Sequence, residues 1–292
     1  MGDRRPSTHP PITTEFLKAL PKTDLHLHLD GSVRLTTLIE LAEQEGIELP
    51  ANTVEGLKEK VFKEHYESRL VPPLTLGRYI EVRFAPQLHF NDKMDIPQIV
   101  HAVNNGLKRA KDEFNDCDGV KEGSEPEFNY GIICTAMRMF APVFSEYYRD
   151  LSRCHQFAPD KTLQSLASIE LARAAVHLRD IDGLPIVGFD LAGSENGFPP
   201  KIHNEAFDYV TKNFMNRTVH AGEAFGPESI VQAIVGCSAQ RIGHGYHLFS
   251  TENVTNKDIK DADKFVHDLV QVHMRARRNP LQMVTKTSSL SV

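Results

Sequence analysis

Two histidines, His26 and His28, stand two residues apart in the string Thr23-Asp-Leu-His-Leu-His-Leu-Asp-Gly-Ser32. In a β-strand, period-two alternation sends both imidazoles to one face and Leu25, Leu27 and Leu29 to the other. Two imidazoles side by side at a strand end can share one metal ion; the same pair fits a core strand with two hydrogen-bonded histidines equally well. Asp30 and Gly31 then turn the chain out of the strand and leave a carboxylate at its mouth. Two later strings add to this face: His220-Ala-Gly-Glu223 and Gly243-His244-Gly245. His220 is a candidate third ligand, and Glu223 is placed as a proton carrier. His244, between two glycines, is open to close approach by substrate or backbone. Three histidines, a carboxylate and an open position describe a site that activates water on a divalent metal.

The elements that must position these residues alternate between two periods. Strand-like runs fall at 23–29, 79–85, 130–137, 186–191, 217–221 and 241–243. Helical spacing follows each of them. A Thr37…Glu40 capping box and Gly46 bracket the first helix; a charged helix at 54–70 is broken by Pro72-Pro73. Asp95, Pro97 and Gln98 open another, 115–127 reads as a surface loop, and helical stretches cover 143–155 and 161–178, the latter capped by Asp160. Helices at 204–214 and 228–235 follow, and Thr255 with Asp258 is expected to cap a last one reaching about residue 273. Strand–helix alternation of this kind calls for a parallel sheet with helices outside, either a barrel or an open doubly wound sheet. No Gly-rich phosphate loop follows the first strand, and the polar residues gather at strand C-terminal ends, as a barrel's do. We therefore expect a flexible lead at 1–14, a single truncated barrel domain at 15–273, and a divergent, disordered tail at 274–292.

Composition is that of a globular protein: 292 residues, 40% hydrophobic and 25% charged, with a net charge of −6 that offers no nucleic-acid footprint. No run approaches a membrane span, and with no apolar run behind the charged N-terminal residues no secretory signal is expected. Four scattered cysteines, Cys117, Cys134, Cys154 and Cys237, read as free thiols, so the expected location is cytoplasmic, with no membrane or nucleic-acid partner.

Five strings, in order, resemble the adenosine deaminase family: Asp24-Leu-His-Leu-His-Leu-Asp-Gly-Ser32, Glu81-Val-Arg-Phe-Ala-Pro86, Gly188-Phe-Asp-Leu-Ala-Gly193, Thr218-Val-His-Ala-Gly-Glu223 and Arg241-Ile-Gly-His-Gly-Tyr-His247. The resemblance runs from about Pro21 to Gln271. It implies an α/β fold, a (β/α)8 barrel, with one zinc ion per chain held by His26, His28 and His220 at its C-terminal mouth. It also implies hydrolysis of adenosine and 2′-deoxyadenosine to the inosine form, as in purine salvage. Glu223 and His244 would be catalytic, Glu223 protonating the purine N1 from a dry pocket and His244 handling the attacking water. His28, Asp30 and Gly193 would touch the substrate, Asp30 through a ribose hydroxyl.

The chain departs from that pattern in two places. A helical segment expected before the second strand is missing, since 74–78 runs straight into Tyr79. The family's seventh and eighth strands are absent, and with them the aspartate pair of the eighth, of which the resemblance implies that the first completes the metal site and the second contacts the substrate; Asp258, Asp261, Asp263 and Asp268 are poor replacements. About six of eight strands would leave the first and sixth with open edges. Two other readings follow: a non-catalytic fragment that binds a nucleoside or a partner protein, and a different metal hydrolase of the same barrel superfamily. Null roles are expected for several neighbours. Asp190 braces a turn, Arg83 pairs with Glu81 or Asp190, Tyr246 packs, and His89 and His247 lie at the surface or behind the site.

Overall fold

The computed structural model describes residues 12–62, 77–274 and 282–284. Strands β1 (Lys22–His28), β2 (Gly77–Phe84), β3 (Asn129–Met137) and β4 (Ile186–Ala192) pair side by side, all parallel. Strands β5 (Thr218–Ala221), β6 (Arg241–His244) and β7 (Gln282–Val284) form a second parallel group. The two groups meet where the Phe189 N–H donates to the Asn216 carbonyl at 2.9 Å and Phe189 bridges to Arg217. Parallel strands buried on both faces read as continuous apolar runs, which Gly131–Ala136 of β3 obeys, every residue buried.

Helices clad the outside. They are α1 (Thr14–Ala19), α2 (Leu35–Glu45), α3 (Val54–Leu57), α4 (Ile96–Asn115), α5 (Asp118–Lys121), α6 (Glu146–Cys154), α7 (Asp160–Asp180), α8 (Asn204–Lys212), α9 (Pro227–Gly236) and α10 (Ala262–Asp268). In α7, Leu163, Ala167, Leu171, Ala175 and Leu178 recur every three or four residues and are buried against the sheet. Each such leucine contributes ~1.5–3 kcal/mol by leaving water. Asp95 caps α4 through a reciprocal box with Gln98, as its sequence predicts.

The sheet curves into an incomplete barrel, and side chains from distant strands meet inside it. Arg83 of β2 reaches Asp190 of β4 at 3.0 Å, while Glu81 of β2 pairs with Arg241 of β6. At Gly243 of β6 an added Cβ would lie 2.7 Å from His26 Cε1, so only glycine lets the β1 imidazole cross over β6.

Local expectations fail where a long-range partner takes over. No side chain caps α2, whose helix starts at Leu35 from an extended Arg34, so Thr37 lies inside it. Thr255 does not cap the last helix: its N–H and hydroxyl both go to the Glu228 carboxylate, and Asp261 caps α10 instead. Helix α1 starts within the expected lead, and a single turn, α5, interrupts the expected 115–127 loop. The expected disordered tail contains β7, which pairs with the edge of β6 and satisfies main-chain groups there. Among the described residues β1 pairs with β2 alone. The distal part of the expected 54–70 helix, the Pro72-Pro73 break and residues 74–76 lie outside the described residues, as do 1–11. No described helix is long and apolar enough to cross a membrane. The four cysteines are free, Cys134 and Cys237 buried and Cys117 and Cys154 exposed.

Between α7 and α8, His203 is fully buried with Nδ1 2.6 Å from Ser168 Oγ. Burial first, then the charge of Arg138, pushes its pKa down from 6.5 to about 4. The folded state therefore binds fewer protons than the unfolded one, and stability falls as pH drops from 6.5 through 4. The loss amounts to about 3 kcal/mol at 1.36 kcal/mol per pKa unit. Urea midpoints across this window are expected to fall less for His203→Gln than for the wild type; parallel curves would refute the assignment.

Candidate metal centre

β1, β5 and β6 present their histidines at the same end of the barrel. The Nε2 atoms of His26 and His220 lie 3.0 Å apart, those of His26 and His28 3.2 Å, and those of His28 and His220 3.1 Å. Among the described residues this trio is the group able to hold a metal ion. The triangle is an observation in favour of a cation. Three ring nitrogens converging on one point cannot all be satisfied by protons shared among themselves. A divalent cation is the charge such a donor set would accommodate. Burial, then the charge of Arg83 and the neighbouring imidazoles, drives His26 toward its neutral, ligating form.

A buried scaffold aims these rings. Asp190, at the end of β4, lies 3.0 Å from His220 Nδ1 and 3.0 Å from Arg83 Nη1. Burial alone would raise its carboxyl pKa, but His220 and Arg83 outweigh that and hold it at about 2. A carboxylate on the far nitrogen fixes the tautomer and leaves Nε2 free to ligate. Arg83 also donates to the Leu25 carbonyl at 2.7 Å, tying the His26 strand to the same anion. Asp190 thus braces the His220 ring and the Arg83 guanidinium rather than a turn. Arg83 takes Asp190 of its two candidate partners.

His244 is buried beside the trio, its ring centroid 4.7 Å from that of His26 and 5.1 Å from that of His220. Its backbone sits at φ 69°, a conformation few side-chain-bearing residues adopt and one concentrated at functional sites. His244 Nε2 lies 3.3 Å from a Glu223 carboxylate oxygen. The Glu223 side chain is 53% exposed, so the described residues do not enclose it in the dry pocket its expected role requires. Tyr246 is exposed beside His244, its ring centroid 5.4 Å away, and His247 is occupied with Ser250 and Asn253.

At the rim, Asp30 begins a short turn after β1 and stands 3.3 Å from His89 Nε2. The His89 imidazole holds the Asp30 carboxyl below the usual carboxylate range. Gly193, just past β4, is exposed with φ 103°. Of the four aspartates considered as ligands, Asp261 caps α10 and Asp268 pairs with Lys264. Asp258 and Asp263 also fall outside the metal-competent trio. Sequence reasoning missed the roles of Arg138, Glu195 and the His89–Asp30 pair. Arg138 and Glu195 mostly bind main-chain groups, which leave no side-chain pattern to find.

Over residues 21–72 and 152–262 the sequence matches the family described as Adenosine deaminase. An adenosine deaminase of Mycolicibacterium vanbaalenii is 33% identical over 270 residues, covering 82% of this chain and 64% of that protein. One of Mycobacterium avium is 32% identical over 303 residues, covering 94% of this chain and 73% of that protein. Among solved structures, an amidohydrolase from Burkholderia ambifaria with bound Zn superposes at a TM-score of 0.57 and 18% identity, over 84% of this chain and 65% of that one, a likeness of fold. The chain thus spans under two thirds of the length of the first of these relatives.

Proposed function

The chain belongs to the adenosine deaminase family, and from that premise we propose that it is a zinc-dependent hydrolase that deaminates adenosine and 2′-deoxyadenosine, acting in cytoplasmic purine salvage. The observation that carries this reading is the 3.0–3.2 Å triangle of His26, His28 and His220 Nε2 atoms with the His244–Glu223 pair beside it. Zinc held by the trio would supply a Lewis acid that lowers the pKa of water to ~7. His244, buried and next to the trio, takes the proton from the attacking water and stabilises the charge that develops. Glu223 delivers a proton to the purine N1, which makes C6 electrophilic and lets ammonia depart. Substrate entering over the half-exposed Glu223 would itself exclude water from the site. Asp30 accepts a hydrogen bond from a ribose hydroxyl, and the Gly193 backbone meets the purine edge. The anionic Asp30 at the rim favours a neutral nucleoside over a 5′-phosphate.

Side-by-side assays of adenosine, 2′-deoxyadenosine, adenine and AMP on zinc-loaded protein test this. We expect turnover of the two nucleosides and a loss of about 10²–10⁴-fold in Glu223→Gln. Activity on AMP alone would overturn the substrate assignment. A second reading, a nucleoside-binding fragment without catalysis, draws on the metal-competent group being three histidines with no carboxylate among the described residues. Stoichiometric zinc and nucleoside binding without turnover would favour it.

A further inference from the structure

The turn after β5 carries Glu223, and one carboxylate outside the histidine cluster holds that turn. Glu195 Oε1 accepts the N–H groups of Glu223 at 2.9 Å and Ala224 at 3.0 Å. Its Oε2 accepts the Gly222 N–H at 2.9 Å and the Ser229 hydroxyl. Four donors thus fill the four acceptor positions a carboxylate offers. On the carbonyl side, the fully buried Arg138 donates to the His220 carbonyl at 2.8 Å and to the Phe198 carbonyl at 2.7 Å. The carbonyls of Ala221 and Gly222 accept from Gly245 and His247, each at 3.0 Å. Gly222 itself lies at φ 67°, and a Cβ there would fall 2.7 Å from Ile230 Cδ1, so only glycine fits at this position.

We propose that Glu195 is a positioning residue whose carboxylate fixes the 222–224 turn and thereby aims the Glu223 side chain at His244. The catalytic consequence rests on the deaminase reading above. The specificity of the device lies in charge: three consecutive N–H dipoles and a hydroxyl point at one anion, and no neutral side chain of the same size satisfies all four. A glutamine offers one accepting oxygen and turns its amide hydrogens toward the remaining donors.

The test compares wild type, E195Q, E223Q and the double variant by amide hydrogen exchange and by steady-state kinetics on adenosine. In E195Q, exchange at 222–224 is expected to accelerate at least tenfold, roughly 1.4 kcal/mol, while 218–221 keeps its protection. The kcat should fall about 10–100-fold, with KM nearly unchanged. Added to E223Q, the same substitution should cost kcat nothing further, because the group through which it acts is already gone. Unchanged exchange at 222–224, or a multiplicative kcat loss in the double variant, would overturn the proposal. A wild type that deaminates no aminopurine sinks the catalytic reading, and the exchange experiment then decides on the clamp alone. If E195Q does not fold, Ser229→Ala, which removes a single donor, should accelerate the same amides to a lesser degree; no acceleration there would count against it.

Discussion

Replacing Asp190 by alanine is expected to cost the fold about 3–5 kcal/mol and its zinc affinity about 10–100-fold. Arg83 and Asp190 are both 0% exposed and 3.0 Å apart, so removing the anion strands a guanidinium in the barrel interior. That uncompensated charge, rather than the lost attraction, sets the size of the effect. The same carboxylate holds His220 Nδ1, so the variant also frees the His220 ring to turn. The two consequences separate in a second protein. Arg83→Met with Asp190→Leu restores an apolar interior and should regain most of the stability, yet leave zinc affinity low because nothing orients His220. Urea titration gives the first quantity and a competitive zinc indicator the second. Equal urea midpoints for Asp190→Ala and wild type would show that the pair contributes nothing.

Zinc loading is the second large effect expected. A ligand that binds only the folded state at 100 times its dissociation constant stabilises by ~2.7 kcal/mol, or roughly 5–10 °C for a chain of this size. Without a cation the three Nε2 atoms face one another at 3.0–3.2 Å, so the ion also relieves crowding of lone pairs. His220→Ala should abolish the increment, as should a chelator added to wild type. A thermal melt with and without one equivalent of zinc reads this directly. A full increment retained in His220→Ala would place the metal elsewhere.

The candidate site of this chain is legible in its sequence because imidazoles and carboxylates gathered at strand ends stand out from an apolar strand pattern. His26, His28, His220, His244 and Glu223 all come together at one end of the sheet, from three strands. Strand alternation likewise announced the parallel sheet. What escaped notice depends on partners far away in sequence. Arg83 had two plausible anions, and only the curvature of the sheet selects Asp190 and leaves Glu81 to Arg241. Thr255 sits in a good capping context, but the buried Glu228 competes for it and wins. Arg138 and Glu195 act chiefly on peptide groups, which every residue possesses, so no spacing reveals them. β7 has little intrinsic signature of its own, its pairing supplied by the edge of β6.

His26 and His220 touch across 194 positions of sequence. At a synthesis rate of ~5–20 residues per second, the first two imidazoles emerge about 10–40 s before the third exists. A nascent chain can therefore offer an incoming ion only two imidazoles through most of translation, and it gains the third when β5 docks beside β4. An ion held by all three would be taken up at the end of folding, and a loaded site would certify that both halves of the sheet have met.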